Sequence, residues 1–370
     1  MEQALQEIIA INPPFFEEPI KQIKHLYETK HWFQLGLNVI DLLNQPGIIG
    51  EKIEFYKKFI TYFIGSLDPL HQVQIIHLVS QDFSSPKAAI DFIEESLKAF
   101  KESSDAKSWL ELQVVAQYII NGDFETAFNL LCKVEKNVTE FSPMMVRTLL
   151  YRVQASLDKA RNDNDSFYEH GLLYLSTIKK YDDVVLAYDL CSAALISRNV
   201  CSFGELASHP IIQILKDSEN KWIYDLIILL DNGTPEIYEE FNKKFLPIIE
   251  SKPQFVDYTD TIKFKVTLSI LLELIFSKPF ESRIFTFDEI YRVCQIPKNQ
   301  VEIVVLKALS AQIIKGFIDE VDERIVVTWC KPKALGVVRL QHLKDQIDRW
   351  IQKVHDQKVL LEIQSQAVTS

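Results

Sequence analysis

Ile262-Lys-Phe-Lys-Val-Thr-Leu-Ser-Ile-Leu-Leu-Glu-Leu-Ile-Phe276, Phe285-Thr-Phe-Asp-Glu-Ile290 and Arg324-Ile-Val-Val-Thr-Trp329 belong to one stretch, Thr261 to Trp329, that decides the fold. The first segment is too short to span a bilayer and too charged at Lys263, Lys265 and Glu273. It predicts a buried core helix, stopped by Lys278-Pro279. In the second, Thr286 is placed to cap a helix. Glu289, three residues on, would complete a capping box, and Phe285 and Ile290 would close a hydrophobic staple. Phe287, Ile290, Tyr291 and Cys294 then recur at i, i+3, i+4 and i+7, one face of a short helix. Pro297 suits the first turn of a third helix that runs to about Ile313 and buries Val301, Val304, Val305, Ala308 and Leu309. After Gly316 the period changes. Phe317-Ile-Asp-Glu320 and Arg324 to Trp329, joined by Val321-Asp-Glu323, read as a β-hairpin rich in β-branched and aromatic residues. Three helices followed by a hairpin make a winged helix.

Winged helices commonly set their third helix into DNA, but the charges here oppose it. From Ile262 to Cys330 there are nine Lys/Arg and nine Asp/Glu, and the wing carries Asp319, Glu320, Asp322 and Glu323 against Lys315 and Arg324. Phosphate neutralisation supplies most non-specific DNA affinity, and acidic groups in the wing would work against it. The third helix offers Lys298, Asn299, Gln300 and Lys307 as contacts, and no basic face. A winged-helix DNA-binding protein is therefore the third choice among functions, and a protein-binding winged helix the first.

Outward from this module, 370 residues allow two or three domains, and 47% apolar with 25% charged residues is ordinary for a globular chain. A net charge of −11 disfavours nucleic acid and anionic membranes as partners. Ten glycines and little alternation outside the wing predict a mainly helical remainder. Cys132, Cys191, Cys201, Cys294 and Cys330 form no close pairs, as expected of free thiols in a reducing compartment. The first residues lack a signal-peptide pattern, so an intracellular, soluble protein is expected.

Residues 1 to about 260 read as successive antiparallel helices. A pair at Ile20 to Lys30 and Trp32 to Asn44 ends at Gln45-Pro46-Gly47, and an amphipathic run covers Glu51 to Leu67. Asn121-Gly-Asp-Phe-Glu-Thr-Ala127, with Phe124, Ala127, Leu130 and Leu131, has the spacing of a tetratricopeptide-like turn. Phe33, Gly36, Val39 and Ile40 echo it, as do Phe167 after Asn164-Asp165 and Ile237 to Phe241 after Asn232-Gly233. The uneven spacing predicts a degenerate helical-repeat solenoid. Phe203-Gly204 ends a loop, and His209-Pro210 starts a short helix burying Ile211, Ile214 and Leu215, a packed corner. Beyond Lys331-Pro332 a last helix runs from about Leu335 to Leu361. In it Leu340, Leu343, Ile347, Trp350 and Val354 are spaced 3, 4, 3, 4, a heptad seam.

No residues suggest catalysis. His-Glu-x-x-His, His-x-His, Cys-x-x-Cys, Gly-x-Ser-x-Gly and Gly-x-Gly-x-x-Gly are absent, and the eight histidines give no i, i+4 ligand pair. Gly47-Ile-Ile-Gly50-Glu-Lys52 has the wrong spacing for a phosphate loop and reads as a helix entry. The expectation is no enzyme, no cofactor and no metal.

A helical-repeat stack, a winged helix and a terminal helix in this order resemble the PCI family. The likeness is carried by Lys30-His-Trp-Phe-Gln-Leu35, Phe167-Tyr-Glu-His-Gly-Leu-Leu-Tyr-Leu-Ser176, Leu186-Ala-Tyr-Asp-Leu190 and Phe203-Gly-Glu-Leu-Ala-Ser-His-Pro-Ile211. Phe287-Asp-Glu-Ile290, Ile296-Pro-Lys-Asn-Gln-Val-Glu302 and Ile314-Lys-Gly-Phe-Ile-Asp319 continue it. Each motif alone is weak; order and spacing together are specific. The resemblance implies a mainly α fold. TPR-like N-terminal repeats would occupy 1–160 and a PCI domain 161–330, its helical part 161–260 and its winged helix 261–330. A C-terminal assembly helix would follow at 331–370. It further implies a non-catalytic scaffold of the 26S proteasome regulatory particle lid, in the cytoplasm and nucleus. The alternative is the same architecture in the COP9 signalosome or a translation initiation factor complex. Implied partners are other lid PCI subunits, the lid deubiquitinase subunit and a ubiquitin receptor subunit, in a hetero-oligomer without nucleic acid or membrane. Implied interface residues are Phe317, Ile318, Arg324, Val326 and Thr328 of the hairpin, and Leu340, Leu343, Ile347, Trp350 and Val354 of the last helix. Phe203, Gly204, His209 and Pro210 form the structural corner.

Overall fold

The computed structural model describes residues 13–45, 52–83, 85–100, 105–234, 236–279, 282–332 and 337–369. The chain divides into two compact units, Met1–Lys179 and Lys180–Ser370.

The first unit is a succession of helices: α1 (Pro13–Glu28), α2 (Trp32–Leu43), α3 (Lys52–Lys58), α4 (Pro69–Ser80), α5 (Pro86–Leu97), α6 (Asp105–Asn121), α7 (Phe124–Glu135), α8 (Met144–Ala160) and α9 (Asn164–Thr177). Three of its corners are built alike. Lys30, Gly122 and Asn162 adopt left-handed φ values of 58°, 83° and 58°. The N–H that follows each reaches back five residues: His31 to the Leu26 carbonyl, Asp123 to Tyr118 and Asp163 to Asp158, each at 3.0 Å. These bonds satisfy carbonyls that the preceding helix leaves without partners. Asp123 and Asp163 then cap the next helix, accepting from the N–H of Thr126 and Ser166. The tetratricopeptide-like echoes at Phe33, Phe124 and Phe167 thus rest on a shared corner, at uneven intervals.

Two apolar clusters fill this unit. Leu35, Val39, Phe55, Phe59, Ile60 and Phe63 centre one, with Phe59 and Phe63 edge to face at 5.2 Å. Val73, Ile76, Trp109, Leu110, Leu131, Val146 and Val153 centre the other. Two sequence boundaries shift. The first helix begins at Pro13 and carries Pro19 inside it, where Ile20 was expected to start it. The run expected from Glu51 to Leu67 breaks after Lys58 into two 3₁₀ turns, Ile60–Tyr62 and Ile64–Ser66. Phe59, Ile60 and Phe63 are buried across this break. The Gly47–Gly50 part of the expected helix-entry loop lies outside the described residues.

In the second unit α10 (Val184–Ile196) and α11 (Lys221–Asn232) pack against α12 (Thr259–Ser277). The centre of α12 is buried on nearly every side, from Lys265 through Leu272. Lys265, read in the sequence as a charge against membrane insertion, is 2% exposed. Its ammonium donates to the Ala194 carbonyl at 2.5 Å and lies 5.5 Å from the Phe203 ring centroid. Ser269 donates to the Leu230 carbonyl. Two polar side chains of α12 therefore fasten α10 and α11 by their last-turn carbonyls.

β1 (Ile284–Thr286), α13 (Phe287–Cys294), α14 (Lys298–Ser310), β2 (Ile314–Asp319), β3 (Arg324–Cys330) and α15 (Val337–Thr369) complete the unit. The sheet is antiparallel, in the order β1-β3-β2. The sequence reading gave a two-stranded hairpin, and β1 is the correction: Ile284, Phe285 and Thr286 pair with Val326, Ile325 and Arg324. Thr286 caps α13, accepting from the Glu289 N–H at 3.2 Å. The returning half of the expected capping box does not form as read, because the Glu289 carboxylate pairs with Lys278 at 2.8 Å.

Candidate protein-interaction surfaces

Strand alternation puts Ile325 and Val327 of β3 into the core and Arg324 and Val326 on the other face. A bulge then interrupts it. Gly316 pairs with Val327 but Lys315 pairs with Trp329, leaving Thr328 as the extra residue. Its hydroxyl donates to the Lys315 carbonyl at 3.1 Å. Strict alternation would bury Trp329; the bulge turns it outward and Cys330 inward. Gly316 is required here. A Cβ at that position would overlap the Val326 carbonyl oxygen and lie 3.0 and 3.1 Å from the Val326 carbonyl carbon and Val327 Cα.

Of the five hairpin residues singled out in the sequence, Phe317 is 56% exposed and stands opposite Val326 on the outward face. Ile318 is half-buried opposite Ile325, on the core side. Arg324 and Thr328 are exposed. Arg324 sits at the turn, where its guanidinium holds Asp319 at 3.0 Å and Asp322 at 2.7 Å. The Asp322 N–H and Arg324 together hold the Asp319 carboxyl below the usual carboxylate range. β2 is an edge strand of the described sheet, so its outer backbone faces away from β3. Trp329, the end of the expected hairpin, and Ile284 of β1, which no expectation covered, are exposed as well; Gly316 within a strand was the signal that the alternation would slip.

The third helix carries no free basic face. Lys298 is clamped between Glu323 at 2.6 Å and Asp288 at 3.2 Å, and those two carboxylates raise its pKa. Outward on α14 stand Ile303 and Leu306, which suit an apolar neighbour rather than phosphate.

α15 is 33 residues long, about 50 Å at helical rise. Leu343, Ile347, Trp350 and Val354 are all exposed, Trp350 at 68%. Leu340 lies in the same helix, its side chain outside the described residues. One helical stripe therefore presents Leu, Ile, Trp and Val to the surroundings, with Ile351 beside it.

The corner residues serve packing. Phe203 is buried beneath Lys265 and Gly204 is buried beside it. His209 accepts from the Ile211 N–H at 3.3 Å and sets its ring edge to face with Tyr181. Burial pushes its pKa down. Pro210 is exposed at the first turn of Pro210–Gln213, which buries Ile211 and Ile212, with Leu215 in the turn that follows; Ile214, expected inside, is half-buried.

Among the described residues no group of three or more His, Cys, Asp or Glu side chains could hold a metal, and no helix is long and apolar enough to cross a membrane. Burial raises the thiols of Cys191 and Cys294 to about 12, which makes them unreactive.

Comparison with known proteins adds the remaining findings. The model of the PSD13 N-terminal repeats matches residues 19–227, and that of the PCI domain matches residues 241–329. The chain is 28% identical over 369 residues to 26S proteasome non-ATPase regulatory subunit 13 homolog B of Arabidopsis thaliana, covering 95% of each. It is 28% identical to 26S proteasome non-ATPase regulatory subunit 13 of Dictyostelium discoideum, covering 94% of each. With the 26S proteasome regulatory subunit RPN9 of Saccharomyces cerevisiae it shares 25% identity over 96% of this chain and 94% of the relative.

Proposed function

Because the chain belongs to the family defined by the PSD13 N-terminal repeats, we propose that it is a non-catalytic scaffold subunit of the 26S proteasome regulatory particle lid, acting in ubiquitin-dependent protein degradation. The observation that carries this reading is a likeness to proteasome regulatory subunits along nearly the whole of both chains, repeats and winged helix included.

The reading assigns work to the surfaces. Phe317, Ile318, Arg324, Val326 and Thr328 belong to a hairpin whose edge strand β2 takes a neighbouring subunit's strand, through backbone hydrogen bonds with the outward side chains setting register. Leu340, Leu343, Ile347, Trp350 and Val354 form a seam that enters a helical bundle with other lid subunits. Phe203, Gly204, His209 and Pro210 hold the corner that supports the winged helix. By role, the repeats take 1–160, the PCI domain 161–330 and the assembly helix 331–370. The partners are other PCI subunits of the lid, its deubiquitinase subunit and a ubiquitin receptor subunit, in the cytoplasm and nucleus.

The test is affinity purification of the tagged chain from its own cells, followed by mass spectrometry. Wild type should bring lid, ATPase base and core particle, and an Ile347→Asp/Trp350→Asp double variant should lose base and core. Signalosome or initiation-factor subunits in their place would overturn the function while keeping the architecture.

A further inference from the structure

Within the first unit lies a cleft of about 570 Å³ between α4, α5, α6 and α8. Its size is that of a ligand site. Its chemistry departs from that of the chain around it. The protein carries 51 Asp and Glu against 40 Lys and Arg, yet the residues lining the cleft include Arg152 and no carboxylate. Arg152 is exposed at the rim and makes no ion pair among the described residues. Deeper in, Gln113 is 6% exposed and lends its carboxamide to the wall. Gln117, one turn on along α6, adds a second carboxamide to the wall.

The remaining wall is apolar, from Phe83, Leu149 and Val153, and Ile120 stands exposed at the mouth. His77 contributes a neutral ring, because burial, with Arg152 and Lys52 nearby, pushes its pKa down to about 4. The cleft therefore presents one permanent cation, a set of amide donors and aliphatic and aromatic surface. It is open at the rim, as a chain that must continue outward on both sides requires.

We propose that this cleft binds a short acidic-apolar peptide segment of a partner protein, its carboxylate on Arg152 and the Gln113 and Gln117 amides and its apolar side chain against Phe83, Leu149 and Ile120. Nothing in the winged helix or the terminal helix is needed for this binding, so it stands apart from the assembly role.

Fluorescence anisotropy on the full chain tests it. The probe is a pool of fluorescein-labelled hexapeptides in which Asp or Glu alternates with Leu, Ile or Phe. Wild type should bind, and Arg152→Glu should weaken binding at least tenfold while leaving the circular dichroism and melting curve unchanged. Gln113→Leu should weaken it less. The same pool with Asn and Gln in place of the acids should bind no better than the Arg152→Glu variant does. No binding by wild type, equal binding of the neutral pool, or indifference to Arg152→Glu would each overturn the proposal. Displacement of the pool by N-acetylglutamate at equal concentration would also overturn it, in favour of a small-anion site.

Discussion

Replacing Gly316 with Ala tests the bulge directly. The added methyl would overlap the Val326 carbonyl oxygen and press on the Val326 carbonyl carbon and Val327 Cα, all backbone atoms, so no side chain can swing aside. Relief requires β2 and β3 to part by about 1.5 Å to bring the carbonyl oxygen out to an ordinary contact distance. Overpacking of this kind costs about 1–3 kcal/mol, and one strained ladder hydrogen bond adds about 1 kcal/mol. A total of about 3 kcal/mol should lower the melting temperature of a unit this size by roughly 6–12 °C. Gly65→Ala is the matched control, because nothing lies within 4 Å of its added Cβ. That change should be neutral, or stabilise by about 0.4–1 kcal/mol through the unfolded chain. Calorimetry of both variants, with Trp329 fluorescence reporting on the hairpin, decides the matter. A Gly316→Ala melting temperature within a degree of wild type, or an equal loss in Gly65→Ala, would show that the bulge is not held as described.

Other outcomes follow from the buried charges. His77 is held near 4 in the fold and takes up its proton near 6.5 when unfolded. Stability is therefore full above pH 6.5 and falls by up to roughly 3 kcal/mol as pH drops toward 4, and urea titrations of wild type and His77→Phe should differ in that window. His170 is the opposite case, raised by its 2.6 Å bond to Asp158. Its contribution is present below the ordinary histidine value and disappears as pH rises through the raised one, a dependence that Asp158→Asn should abolish. Lys265→Ala should cost about 3 kcal/mol or more by leaving the Ala194 carbonyl unpaired beside a cavity, whereas Lys265→Met, which keeps the volume, should cost less in the same denaturation assay. Ile347→Asp/Trp350→Asp should leave the melting curve of the isolated chain within a degree of wild type, since both residues are exposed there.

Much of the winged helix was legible because its signals are local. Thr286 caps the helix that its position promised, and Phe287, Ile290 and Cys294 are buried along one face. Val301, Val304, Val305 and Ala308 do the same on α14. β1 was hidden for a long-range reason: three residues are too few for alternation to register, and the strand exists only because Arg324–Val326 lie alongside. The outward turn of Trp329 was hidden likewise, since it depends on which residue Gly316 faces across the hairpin. In the first unit the Phe33, Phe124 and Phe167 echoes were visible, but not the left-handed residue that unites them, which is Lys in one corner, Gly in another and Asn in the third. The cleft was illegible for a different reason. His77, Gln113 and Arg152 come from three helices, and nothing in their sequence spacing brings them together.

The five-residue return at Lys30, Gly122 and Asn162 also bears on how the chain reaches its fold. Each such corner is closed by partners a few positions apart, so the helical pairs it joins need little chain diffusion to form. Pairing β1 with β3 must instead close a loop from Ile284 to Val326, whose entropy is lost before the sheet offsets it. During synthesis from the N-terminus, the repeats can settle while the last strand is still being made. The exposed seam of α15 follows that strand in the chain and is made after it. That apolar stripe thus comes into being only after the strands of the sheet have been made.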